Sequence, residues 1–387
     1  MNSGTFQFSL QATQGLLWLA VLAIVAWAGM RVSWGKLVGL TLFLTLDLIM
    51  FGAFVRLSDS GLGCPDWPGC YGKFTPLQAG QSIAAEVAKH GQFGWVTQTK
   101  AWIEMIHRYW ATFIGMLIVV MVIRAFVSAR HKQLVRAISP AWPLLLLVVV
   151  IGQGVFGKLT VTLKLMPIIV TLHLLGGMLL FCLLLWFALK QGMFQKITIK
   201  NGADNAAGSL SSRHINRLKV LGTLALTSIV IQIALGGWVS TNYAAMACPD
   251  FPLCQGKLLP VLDVANGFDL SRDMGKTDSG ENLSLQALTA IHLLHRSFAY
   301  VVLAIVGLFA WRLDAARAFG TWPWVVGGAL LLQIVIGIST VLFNQPLLLA
   351  VAHNGGAALL LGATLIARYK IRTFHVITPA ATVLSQH

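Results

Sequence analysis

Runs of apolar residues long enough to cross a bilayer follow one another through almost the whole chain, at about 15–30, 37–56, 101–126, 142–162, 167–189, 219–240, 288–311, 322–343 and 347–367. A hydrocarbon core of about 30 Å accommodates some twenty apolar residues as a helix and offers the backbone no hydrogen-bond partner, so each run must satisfy its own N–H and C=O groups by coiling. The fold class this dictates is an all-α polytopic membrane protein. The first run is short and predicts an extra N-terminal hydrophobic helix, tilted or interfacial, beside eight core spans. Only 11% of the residues are charged, against roughly 25% in soluble domains, which excludes soluble enzyme folds.

The net charge of +15 does not signal nucleic acid, because the basic residues fall in short pieces between the apolar runs. Around the eight core spans, seventeen Lys and Arg lie on one side and eight on the other, with Arg56, Arg108 and Arg296 at span ends. The positive-inside rule puts the richer side in the cytoplasm, and the loops 57–100 and 241–287 on the opposite, periplasmic side. The first fourteen residues carry no charge, unlike a secretory signal or a transit peptide, which favours a bacterial cytoplasmic membrane.

The chain is also duplicated. Cys64-Pro65-Asp66-Trp67-Pro68-Gly69-Cys70-Tyr71-Gly72-Lys73 returns as Cys248-Pro249-Asp250-Phe251-Pro252-Leu253-Cys254-Gln255-Gly256-Lys257. His107-Arg108 returns as His295-Arg296, Gln153, Gly157, Thr160 and Val161 as Gln333, Gly337, Thr340 and Val341, and His173 as His353. Two pseudo-symmetric four-helix transmembrane bundles follow, in the same orientation because each has an even number of spans. The expected division is an N-terminal tail with the extra segment (1–36), a first bundle (37–190), a polar cytoplasmic linker (191–218), a second bundle (219–370) and a C-terminal tail (371–387).

His107, His173, His295 and His353 lie six to eight residues inside their spans from the cysteine-loop end. At 1.5 Å per residue all four share one depth, about 9–12 Å. In each half they come from the second and fourth spans, which can face each other across a bundle, and two opposed imidazoles suit the axial positions of a haem iron. The competing explanation for a membrane histidine is a ring hydrogen-bonded to a neighbouring helix. Zinc fits less well, because the cysteines lie outside in loops.

Glu104 lies three residues before His107 on the same helix face, where the second half has His292, and so breaks the symmetry. It suggests one reactive site and one electron-carrying site. Arg108 and Arg296 suit a haem propionate or a lipid phosphate equally. Cys64 with Cys70 and Cys248 with Cys254, spaced Cys-x5-Cys in an oxidising compartment, predict a structural disulfide over the mouth of each bundle; a thiol pair delivering electrons is the alternative. Gly152, Gly154 and Gly157 spell a dinucleotide fingerprint, but within a membrane helix they read as small-residue packing.

Gly61-Leu62-Gly63-Cys64-Pro65-Asp66-Trp67-Pro68, Glu104-x-x-His107-Arg108, the duplicated Cys-Pro-Asp loop and His353-Asn354-Gly355-Gly356 together resemble the haem A synthase family over roughly residues 37–368. The resemblance implies an eight-helix enzyme that oxidises the C8 methyl group of haem O to the formyl group of haem A, by two hydroxylations and loss of water, for terminal oxidases. It implies substrate haem O between His107 and His173 with Glu104 as the catalytic carboxylate, and a haem B cofactor between His295 and His353. A complex with the haem O synthase, an unidentified electron-transfer partner and a homo-oligomer are compatible with that role. The competing function is a dihaem b-type electron-transfer cytochrome that modifies neither haem.

Overall fold

The computed structural model describes residues 24, 27–91, 94–130, 139–192, 211–277 and 280–374. Most of the extra segment at 15–30, the linker residues 193–210 and the C-terminal tail from 375 fall outside them. Beside helical residues at 27–31, the described residues include ten α-helices: α1 (Trp34–Leu57), α2 (Gly80–His90), α3 (Gln98–Arg130), α4 (Ala141–Thr162), α5 (Pro167–Lys190), α6 (Ser212–Thr241), the single turn α7 (Val264–Gly267), α8 (Leu285–Ala315), α9 (Trp322–Leu342) and α10 (Leu347–Thr373). All but α2 and α7 are long and apolar enough to cross a membrane, eight in number, matching the eight expected core spans.

The chain divides into two compact units, residues 1–191 and 192–387. In the first, α1 packs on α3 and α5, α3 on α4, and α4 on α5. The helices therefore form a closed square, with α3 and α5 at opposite corners. In the second, α6 packs on α8 and α10, α8 on α9, and α9 on α10, which sets α8 and α10 at opposite corners. The diagonal helices are those that carry the histidines.

Polar starts lengthen several helices beyond their apolar runs. Ser211 accepts a hydrogen bond from His214 N (3.3 Å) and caps α6, so helix begins at Ser212, inside the segment 191–218 expected to be linker. Its first turns hold Arg213, Arg217 and Lys219, a charged stretch that hydropathy does not register. Ser284 caps α8 in the same way through Ala287 N. The turn between the third and fourth spans is the same in both units. Lys164 and Leu165 repeat as Asn344 and Gln345, all four at positive φ, and Leu165 N donates to Thr160 O (2.8 Å) as Gln345 N does to Thr340 O (2.7 Å).

Candidate functional site

The duplicated loop motif folds in the same way in both units. Cys64–Cys70 and Cys248–Cys254 are disulfides. Within each, the second cysteine and the lysine three residues on exchange both backbone hydrogen bonds, Cys70 with Lys73 and Cys254 with Lys257. This closes a two-residue turn whose central residues, Tyr71-Gly72 and Gln255-Gly256, all have positive φ. Glycine holds the second of these without the Cβ penalty. Asp66 accepts from Tyr71 N and Gly72 N (both 2.6 Å), and Asp250 from Gln255 N (2.7 Å) and Gly256 N (2.8 Å), so the acid of Cys-Pro-Asp caps the turn. Trp67-Pro68 and Phe251-Pro252 are cis peptides in both copies.

An arginine on the second span of each unit holds this loop down. Arg108 Nη1 donates to Asp66 O (2.7 Å), Pro68 O (3.3 Å) and Gly69 O (2.6 Å). Arg296 Nη1 donates to Asp250 O (2.9 Å) and Leu253 O (2.6 Å), and its Nη2 to Cys248 O (3.1 Å). A propionate or lipid phosphate could be met only by the N–H groups left over. In the first unit the disulfide is fully buried with Ala79 and Ile83, at the start of α2, and with Ala101 and Met105 of α3. Gly63 is required there, because a Cβ would come within 2.6 Å of the Ala101 backbone nitrogen.

Glu104 is buried, 4% exposed, and ties into the same loop. Its Oε2 accepts from Cys64 N (2.8 Å) and its Oε1 from Arg108 Nη2. The carboxylate thus links His107's helix to the disulfide, a contact between residues forty positions apart that motif spacing does not reveal. His292 occupies the equivalent place with different chemistry: its Nδ1 lies 3.2 Å from Ala244 O and its Nε2 3.4 Å from Arg296 Nη2.

The four histidines sit on the diagonal helices, as the bundle order requires. His107 and His173 lie within electrostatic reach of each other, as do His295 and His353. All four are only half-buried, although they lie well inside apolar spans. The Nδ1 atoms of His107, His173 and His295 are buried without a hydrogen-bond partner. A ring held by a neighbouring helix would show such a bond. His353 has a candidate in Gln333 Nε2, at 3.3 Å from its Nδ1 and 3.4 Å from its Nε2, which also donates to His353 O (2.9 Å), and the His295 ring lies in hydrogen-bond reach of the Gln232 backbone. Among the described residues no three His, Cys, Asp or Glu side chains converge as a metal site.

Sequence reasoning did not anticipate what holds the rings. Each imidazole lies edge-on against a glycine of the preceding span: His107 on Gly52, His173 on Gly157, His295 on Gly236 and His353 on Gly337. The signal was present in Gly157 and Gly337, which repeat with the histidines. Phe51 stacks on His107 with ring centroids 6.2 Å apart. Gln232 donates from Nε2 to His295 O (3.1 Å). In both units the glutamine of the third span lies against the glycine three residues after the histidine, Gln153 on Gly176 and Gln333 on Gly356.

Comparison with known proteins places this arrangement among relatives. The pattern of the family described as cytochrome oxidase assembly protein matches residues 35–365. A heme A synthase of Shewanella oneidensis is 36% identical over 335 residues, which cover 86% of this chain and 94% of that protein. One of Granulibacter bethesdensis is 26% identical and covers 85% of each chain; one of Allorhizobium ampelinum is 28% identical and covers 84% of this chain and 87% of its own.

Proposed function

The chain belongs to the cytochrome oxidase assembly protein family that includes the haem A synthases, and we propose that it oxidises the C8 methyl group of haem O to the formyl group of haem A. The observation that carries this is the pair of opposed, half-buried histidines in each bundle, with a buried carboxylate beside one pair only. Three Nδ1 atoms without a hydrogen-bond partner, at His107, His173 and His295, and three cradles too tight for a Cβ, at Gly52, Gly236 and Gly337, fit rings that would hold a haem.

On this reading His107 and His173 hold substrate haem O, and His295 and His353 hold a haem B cofactor. Haem B supplies one-electron chemistry and a path to an external electron acceptor. Balanced with water as the source of oxygen, methyl to formyl releases four electrons and four protons, through a geminal diol that loses water. The protons need an acceptor at the first site. Glu104 is the acid placed three residues from His107, and its four lone pairs outnumber its partners Cys64 N, Gly63 N and Arg108. Cys64 N–H and Arg108 fix the carboxylate in place.

The basic-residue asymmetry supports a multi-pass protein of the bacterial cytoplasmic membrane with both disulfide loops on the periplasmic side. A haem O synthase delivering the substrate is the partner this chemistry calls for. The test is expression with and without a haem O synthase, followed by purification in detergent and identification of the extracted haems by chromatography and mass. The expected result is haem A or its hydroxylated precursor beside haem B, only when haem O is supplied. Haem B alone under both conditions overturns the proposal in favour of an electron-transfer cytochrome.

A further inference from the structure

The four glycine cradles are not equally tight. A Cβ on Gly337 would lie 2.8 Å from Cε1 of His353, and Cβ atoms on Gly52 and Gly236 would lie 3.0 Å from Cε1 of His107 and His295. Contacts this close displace the ring or the helix, so at these three positions glycine lets the imidazole seat against bare backbone and the backbone in turn limits how the ring can tilt. On Gly157 the same atom would stand 3.6 Å from His173 Cε1, an ordinary van der Waals distance, with no other atom of the ring within 4 Å. His173 alone has room for another methyl group between itself and its cradle.

Other contacts fall the same way. His107 is also stacked by Phe51, His295 has Gln232 on its backbone carbonyl, and His353 has Gln333 on its carbonyl and beside its ring. Gln153, the counterpart of Gln333, lies against Gly176, and among the described residues it makes no hydrogen bond to His173. The first unit therefore pairs one fixed imidazole with one loosely held one, and the second unit pairs two fixed ones.

We propose that Gly52, Gly236 and Gly337 are positioning residues that lock three of the four axial imidazoles, and that the slack at Gly157 makes His173 the ligand that swings aside to load and release the haem of the first unit. This rests on the haem-binding reading above and adds to it the means by which one site exchanges its haem while the other keeps it. A substrate must leave as product at every turnover, so at least one of its ligands has to let go. When His173 moves, its lone pair leaves with it and the ring stays neutral, so no charge is stranded in the bundle.

The experiment mixes the purified dihaem protein in detergent with excess apomyoglobin and follows the haem retained, separated by chromatography. Haem of the first unit should leave at least tenfold faster than haem of the second. Gly157→Ala fills the slack without a clash and should slow the fast phase several-fold with full haem content. Gly337→Ala should speed loss of the second haem and shift its low-spin electron paramagnetic resonance signal, which reports imidazole orientation, while Gly157→Ala leaves that signal in place. Equal loss rates for the two haems, or a fast phase unchanged or emptied by Gly157→Ala, overturn the proposal. If Gly337→Ala does not accumulate, the wild-type rates and Gly157→Ala still decide. If both extracted haems prove to be haem B, the proposed reaction fails, but the two phases and their response to Gly157→Ala still test the slack ligand.

Discussion

Removing the Glu104 carboxylate should unlatch the first disulfide loop, and the size of the effect follows from its partners. The side chain is 4% exposed, and it accepts from Cys64 N, on a residue with no exposure, and from Arg108. Glu104→Ala leaves a buried backbone donor unsatisfied at about 1–3 kcal/mol. It also breaks an ion pair whose full loss in a protein interior costs about 3–5 kcal/mol. That second figure is an upper bound, because Arg108 is 11% exposed and keeps Asp66 O, Pro68 O and Gly69 O. A net cost of about 3 kcal/mol, at 1.4 kcal/mol per tenfold, corresponds to roughly 100-fold faster opening of the loop. Glu104→Gln keeps an oxygen for Cys64 N–H but turns its amide nitrogen toward Arg108, which loses that acceptor and keeps its three carbonyls, so the cost is about 1 kcal/mol, less than tenfold. Hydrogen exchange of a peptide covering residues 61–73 measures both, and haem extraction from the same samples measures conversion. Glu104→Gln should protect the loop yet stall haem A formation, separating scaffold from chemistry. Exchange in Glu104→Ala equal to wild type would refute the latch, and a normal haem A yield from Glu104→Gln would refute the proton-acceptor role.

Cys64→Ser with Cys70→Ser opens a ring of sequence separation 6, for which chain entropy gives about 2 kcal/mol; limited proteolysis should cut within 61–73 well before the loop of the second unit. Arg296→Leu strands the carbonyls of Cys248, Asp250 and Leu253, and at about 1 kcal/mol each should release residues 248–257 to protease while leaving helix content by circular dichroism unchanged. The backbone N–H groups of Gly256 and then Gln255 hold the Asp250 carboxyl below the usual carboxylate range. A carboxyl lowered in the folded state stabilises above its unfolded value, about 3.9, and that contribution is lost as pH falls through the folded one. Exchange at Gln255 and Gly256 should therefore rise only below about pH 4, and Asp250→Asn should abolish that acid step.

Spans, duplication and histidines were legible because each is written in one dimension: a run of apolar residues, a repeated string, or a polar residue at a fixed depth. Helix ends were less so. The charged first turns of α6 and the polar start of α3 at Gln98 read as loop, although a serine cap suffices to begin a helix at Ser212. The α2 helix was missed because its apolar face is short, with only Ile83 buried. Motif spacing put Glu104 beside His107 but could not show its attachment to Cys64 N, which exists only after the loop has folded back across forty residues. Arg108 and Arg296 looked free to meet an anion because nothing in the sequence shows the carbonyls that claim them. Gly52 and Gly236 carried no signal, since a glycine within a membrane helix has several uses and its facing side chain is known only from packing.

Position 104 in one unit and position 292 in the other stand four residues before the arginine that clasps the loop, and each touches it, one as a carboxylate and one as an imidazole. The clasp itself is made of backbone carbonyls and does not depend on which of the two is present. The arginine's hold on the carbonyls is common to both units, whereas the tie from position 104 to Cys64 N belongs to the first alone. Two loops of one sequence pattern are thus seated alike and tied differently, by a carboxylate in one unit and an imidazole in the other.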